Sequence, residues 1–281
     1  MTATSRLEIN GIEHAVFSWG DPAHAPILLL HGAKDRGTSF DEVGPALAEA
    51  GFFACAPDLR GYGETEDGRE DGCYQLEFLV SDIAEFVEAL SPEAPIHLVG
   101  HSFGGVLSTL YAGTFPDRVA TLSVVEGLGS HHPDDASPAR LRRWINARRR
   151  DRTRSPRRIT LEHAAHALRS LNPELDETTA NRRAAQLTHP ADDAYAWWFD
   201  EQHWHTLFEL TFERWQAHAA AVEAPTLIVS GGKSGHHPTD EAARLRSYGH
   251  HTCVDISGGG HMVHWSKPAA LTDALLRFIR Q

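Results

Sequence analysis

Short apolar runs without polar alternation punctuate the first half of the chain: Pro26 to Leu30 before His31-Gly32, Phe52 to Pro57 before Asp58, and Ile96 to Val99 before Gly100. Each is too compact for a helix, and unbroken hydrophobicity suits strands covered on both faces, as in a parallel sheet flanked by helices. Leu76 to Leu90 lies between two of them and repeats Phe78, Leu79, Ile83, Phe86, Val87 and Leu90 at helical spacing. Strand alternating with helix predicts an α/β sheet with right-handed crossovers. Upstream, Leu7 to Trp19 alternates loosely around Asn10-Gly11, a dipeptide whose tolerance of positive φ favours a tight hairpin, so an antiparallel pair should open the fold. The pattern resumes at Val119 to Val125, breaks, and returns at Thr226 to Val229 and Thr252 to Ile256, ahead of a closing helix from Pro268 to Ile279. The broken stretch is polar, helical in pattern and punctuated by Pro133, Pro138, Pro156, Pro173 and Pro190. It reads as an insertion, dividing the chain into a first core part (1–127), a helical insertion (128–222) and a second core part (223–281).

With 281 residues, 41% of them in the apolar set, the chain can bury one sizeable core, and disordered or low-complexity readings fail. The formal charge of −12 argues against a nucleic-acid partner, which calls for a basic surplus. That charge is uneven: positions 1–127 carry 6 basic and 20 acidic residues, whereas 128–222 carry 14 and 13. Ten arginines fall between Arg140 and Arg158, a pattern that fits a solvated helix face better than a phosphate site. Cys55, Cys73 and Cys253 form an odd set without C-x-x-C spacing, so neither a disulfide framework nor a zinc knuckle is indicated. The opening MTATSRLEIN has no apolar segment, and the longest aliphatic run, Ile27 to Leu30, is far too short to cross a bilayer. A cytoplasmic protein with no membrane partner is the expectation; nothing in the pattern sets an oligomeric state. The pairs His131-His132, His203-x-His205, His236-His237 and His250-His251 lack a recognised ligand frame, so no metal is expected.

One motif carries chemistry. Gly100-His101-Ser102-Phe103-Gly104-Gly105 follows the run Ile96 to Val99 and precedes the helical stretch Val106 to Tyr111, which is G-x-S-x-G in a strand–turn–helix setting. The glycines let the backbone turn sharply enough to hold Ser102 in a strained conformation, and the helix N-terminus aims free N–H groups at charge developing beside it.

Here the sequence resembles the α/β-hydrolase fold family, in particular single-domain bacterial serine hydrolases with a helical cap. The resemblance covers nearly the whole chain: Leu28-Leu29-Leu30-His31-Gly32, Asp58-Leu59-Arg60-Gly61-Tyr62-Gly63, the Ser102 turn, and Gly258-Gly259-Gly260-His261-Met262. It implies a mostly parallel eight-stranded sheet with helices on both faces, its first pair antiparallel, and an inserted helical cap. It also implies Ser102 as nucleophile, His261 as base with His264 the nearest competitor, and backbone N–H groups of Ala33 and Phe103 as oxyanion hole. The triad acid departs from the commonest pattern. The G-x-x-D turn after the strand ending at Val229 would place it at position 234, which is Ser234, and Gly231 to Pro238 contains no carboxylate. A minority of the family takes the acid from the strand before the cap, where this chain has Glu126; Asp240 and Asp35 are the other candidates. Lys34 and Asp35 either line the site or pair with each other in solvent, the latter being slightly favoured.

The cap's aromatic residues, Tyr195 to Phe199 with Trp204, Phe208, Phe212 and Trp215, either line an apolar pocket or form the cap's own core. His31, Trp197 and Trp198 are the pocket candidates. The function expected is cofactor-free cleavage of a carboxylic ester, lactone or related small acyl substrate. Ser102 in place of Asp argues against dehalogenase and epoxide-hydrolase chemistry. Carbon–carbon bond hydrolysis or cofactor-free oxygenation on the same frame, and a ligand-binding protein with little turnover, are the alternatives.

Overall fold

The computed structural model describes residues 3–65, 74–129, 138–151, 158–200 and 210–281. In chain order its elements are β1 (Ala3–Ile9), β2 (Ile12–Trp19), β3 (Pro26–Leu30), α1 (Val43–Glu49), β4 (Phe53–Pro57), α2 (Leu76–Leu90), β5 (Ile96–His101), α3 (Phe103–Thr114) and β6 (Val119–Val125). After them come α4 (Pro138–Asp151), α5 (Leu161–Leu171), α6 (Glu177–Leu187), β7 (Thr188–Ala191), β8 (Ala194–Trp197) and α7 (Phe212–Ala221). The chain closes with β9 (Thr226–Ser230), α8 (Glu241–Ser247), β10 (His251–Asp255), α9 (Val263–Ser266) and α10 (Pro268–Ile279).

Eight strands form one sheet in the order β1-β2-β4-β3-β5-β6-β9-β10. The β1–β2 and β2–β4 pairs are antiparallel and the others parallel. Asn10 and Gly11 make the first turn at φ 53° and 74°, as that dipeptide demands. The central apolar runs became strands because each has a core on both sides, whereas β10 is a mostly exposed edge strand. Leu28 and Leu30 pack with Leu98, Leu122 and helices α2 and α3, while Ile27 and Leu29 pack with Val99, Leu227 and helices α1 and α10. The strand order reverses beside β3, whose neighbours are β4 and β5. That switch point opens a crevice at the carboxyl ends of the strands.

The inserted stretch is not wholly helical. Its helices α5 and α6 meet through Ala164, Ala165, Ala180 and Ala184, but β7 and β8 form an antiparallel hairpin across Asp192-Asp193, with Asp192 at φ 52°. The strap that follows is tied to the body: Gly63 N–H donates to Trp198 O at 2.8 Å, Asp200 N–H to Gly61 O at 2.9 Å, and Tyr74 Oη to the Asp200 carboxylate at 2.6 Å. Trp215 and Ala219 of α7 do not belong to a cap core; they join the cluster beneath the sheet, and Gly113 of α3 lies so close that a Cβ there would meet His218 O at 2.2 Å. Trp204, Phe208, Cys73, the pairs His131-His132 and His203-x-His205, and part of the arginine run lie outside the described residues.

Candidate active site

Strands β5 and β6 run side by side, and the residue after each carries a side chain at the crevice. Ser102 is the turn residue between β5 and α3, held at φ 50°, ψ −114°, with its N–H donating to Val125 O at 2.9 Å. Glu126 directly follows β6 at φ 51°, its N–H donating to Val229 O at 2.8 Å. Both are L residues in left-handed backbone, a conformation that costs of order 1–3 kcal/mol and persists only where the surroundings enforce it. Gly105 and Gly127 make the approach possible, since a Cβ on either would lie 2.8 Å from the other's Cα.

His261 comes from the glycine-rich loop after β10. Its Nε2 lies 3.0 Å from Ser102 Oγ and its Nδ1 3.2 Å from Glu126 Oε2. The Glu126 side chain is buried and further accepts the N–H groups of Gly231, at 2.5 Å, and His236. The loop that lacks a carboxylate therefore wraps the one supplied by β6, and a Cβ at Gly235 would meet Glu126 Oε1 at 2.3 Å. These backbone donors orient the carboxylate toward His261, and no side-chain pattern betrays them; the absence of Asp and Glu from Gly231 to Pro238 is their only trace in the sequence. His236 adds a ring edge-on to His261, with centroids 5.8 Å apart.

Phe103 opens α3 with Ser102 as its N-cap, so the first N–H groups of that helix stand beside the serine. Ala33 follows Gly32, where a Cβ would sit 3.1 Å from the Ser102 Cβ. The two expected oxyanion residues thus both belong to segments that adjoin Ser102.

The remaining candidates fall elsewhere. Asp240 pairs with Arg244 Nε at 2.8 Å. Asp35 does not pair with Lys34 in solvent: it is 1% exposed and meets His264 Nε2 at 3.0 Å, while Lys34 lies over the Phe199 ring. His264 is therefore no competitor for the base. His31 is fully buried, with Nε2 accepting Leu59 N–H at 3.0 Å and Nδ1 facing Gly32 O at 2.7 Å, so its ring ties the loop after β3 to the loop after β4. Burial pushes its pKa down to about 4, which keeps the ring neutral. Trp198 lies against the tilted ring of His189 and under the Arg36 guanidinium, and Trp197 packs with the α5–α6 cluster beside Met262. Arg36, buried against Trp198, donates to Asp58 at 3.0 Å, and Asp58 also accepts Gly37 N–H at 2.7 Å and Glu64 N–H at 2.8 Å. Among the described residues one group brings three metal-capable atoms within 4.8 Å of one another: Asp35, His101 and His264. The Nε2 atoms of both histidines are already engaged, that of His264 by Asp35 and that of His101 by His261 O at 2.8 Å. No helix among the described residues is long and apolar enough to cross a membrane.

The chain is 27% identical to epoxide hydrolase A of Mycobacterium tuberculosis, an alignment covering 98% of this chain and 97% of that protein. It is 35% identical to a human serine hydrolase-like protein over 40% of this chain and 54% of that one. In three dimensions it matches the thioesterase domain from the curacin biosynthetic pathway with TM-score 0.85 and 25% identity, over 98% of this chain and 99% of the other. The model of the alpha/beta hydrolase fold matches residues 25–268, so the chain belongs to the α/β hydrolase fold family.

Proposed function

We propose that this hydrolase cleaves a carboxylic ester, lactone or related acyl bond through Ser102, His261 and Glu126 and an acyl-enzyme intermediate. The observation that carries the reading is one imidazole placed between a serine hydroxyl at 3.0 Å and a buried carboxylate at 3.2 Å. Glu126 holds the Nδ1–H tautomer of His261, leaving the Nε2 lone pair facing Ser102. As Oγ attacks the carbonyl carbon, His261 takes its proton, and the oxyanion forms against the N–H groups of Phe103 and Ala33. His261 then protonates the departing alcohol. Water enters, loses a proton to His261 and attacks the acyl carbon; the acyl–Oγ bond then breaks as His261 returns that proton to Ser102 Oγ, releasing the acid.

Similarity to an epoxide hydrolase favours a second reading, epoxide opening. In that chemistry the family relies on a carboxylate nucleophile, and position 102 is serine. A fluorophosphonate probe and a panel of p-nitrophenyl esters of increasing acyl length separate the two. The acyl-transfer reading requires labelling that vanishes in Ser102→Ala and turnover of at least one ester. Absent labelling, or epoxide hydration that survives Ser102→Ala, overturns it.

A further inference from the structure

Three residues beyond His261, the chain turns His264 into the interior, where it is 0% exposed. Its Nε2 meets Asp35 Oδ2 at 3.0 Å, and the same oxygen accepts Ser39 Oγ at 3.0 Å while Asp35 Oδ1 accepts Arg36 N–H at 2.9 Å. The His264 ring lies against that of His101, centroids 4.3 Å apart. His101, itself 1% exposed and directly preceding Ser102, places Nε2 2.8 Å from the carbonyl oxygen of His261. Serine, carboxylate, imidazole and imidazole thus form a continuous buried series ending on the backbone of the residue that faces Ser102. We infer that Asp35, His264 and His101 are positioning residues, which fix the His261 backbone and thereby set the rate of the reaction without touching substrate. The inference rests on the roles of Ser102 and His261 proposed above.

Two physical arguments support it. Apolar side chains would fill this space at lower cost, because buried polar groups lose hydration that their partners only replace. A buried polar array that ends on the backbone of the catalytic loop is thus better explained by orientation than by stability. The second argument concerns direction. The charged groups facing His264 are Asp35, Arg183, His261 and His31, with His101 alongside, and burial holds the rings of His264 and His101 well below the usual imidazole range. A neutral ring owns one N–H. In both residues that proton serves Nε2, toward Asp35 and toward His261 O, and Nδ1 has no hydrogen-bond partner among the described residues. Each ring therefore acts as a one-way donor, a task that a glutamine amide performs and a phenyl ring cannot.

The test uses the full chain and the ester that the wild type turns over, with kcat, KM, the rate of fluorophosphonate labelling of Ser102, and Tm measured together. His264→Phe should lower kcat roughly 10- to 100-fold, the scale of a small misplacement of a reacting group. KM should stay within about twofold, because no substrate contact is removed. His264→Gln should recover most of the loss, and Asp35→Asn, which keeps its shape if the phenylalanine variant fails to fold, should show the same kcat defect as His264→Phe. Labelling should slow in parallel. Variants that lose Tm but label and turn over at the wild-type rate overturn the positioning role, as does a His264→Gln no better than His264→Phe. Failure of the wild type itself to label at Ser102 would instead bring down the acyl-transfer reading.

Discussion

His261 and His264 are three residues apart, and each presents a ring nitrogen to a buried carboxylate, at 3.2 Å for Glu126 and 3.0 Å for Asp35. Their surroundings separate them. The His261 side chain is 34% exposed and its second nitrogen faces the Ser102 hydroxyl, whereas His264 is 0% exposed and its second nitrogen faces none of the described polar groups. A carboxylate–imidazole pair is thus not in itself a catalytic unit. It becomes one where the ring can take up and release a proton at a solvent-reachable nucleophile, and it is a brace where burial keeps the ring neutral.

The largest test of this contrast removes the reactive side. Ser102→Ala or His261→Ala should lower kcat by about 10⁵- to 10⁶-fold, the scale seen when a triad member is deleted. Steady-state turnover of the preferred ester measures it, and a residual rate within tenfold of wild type would refute the assignment. Glu126→Gln should cost about 10⁴-fold, because the amide stabilises the wrong imidazole tautomer. If Asp35→Asn costs as much as Glu126→Gln, the division into catalytic and bracing pairs collapses.

The buried side has a signature in pH. Burial holds the His31 pKa down to about 4 in the folded protein, against the ordinary imidazole value of about 6.5. Between those values the unfolded chain holds more protons, so stability falls as pH drops from 6.5 toward 4, with His31 contributing up to about 3 kcal/mol. Buried Asp35 and Asp58, whose burial raises their pKa, act in the opposite sense. Comparing His31→Gln with wild type isolates the histidine, and urea midpoints across this window should fall less steeply in the variant. Equal slopes would show that His31 is not held neutral. The smallest effect belongs to Asp240→Asn, which keeps the side chain's shape and removes the charge of a part-exposed partner of Arg244. Activity should stay within about twofold and stability within roughly 1 kcal/mol; a large loss of kcat would return Asp240 to the list of possible triad acids.

Much of this was legible in the residues. The limits of α2 and α10 coincide with those read from helical spacing and from Pro268, and the apolar runs became the parallel strands within a residue or two, because burial on both faces leaves an unmistakable pattern. Glu126 stood out because the stretch after β9 is empty of carboxylates. The β7–β8 hairpin was missed, since Thr188 to Trp197 is short, half-exposed and set among polar helices that mask its alternation. Trp215 was misplaced for a related reason: helical spacing shows that a face is buried, not against what, and its cover proved to be the sheet's own core.

The sequence by itself determined the strands, the strained turn at Ser102 and the identity of the chemical groups, because these depend on local pattern and on which atoms each residue owns. Tertiary structure alone decided which histidine faces Ser102 and which one is sealed in the interior. Asp35 and His264 are 229 positions apart, and His101 and His261 are 160. Whether an imidazole is hydrated beside a serine or sealed beside a second ring is set by packing across those distances, and that packing fixes its protonation and hence its role.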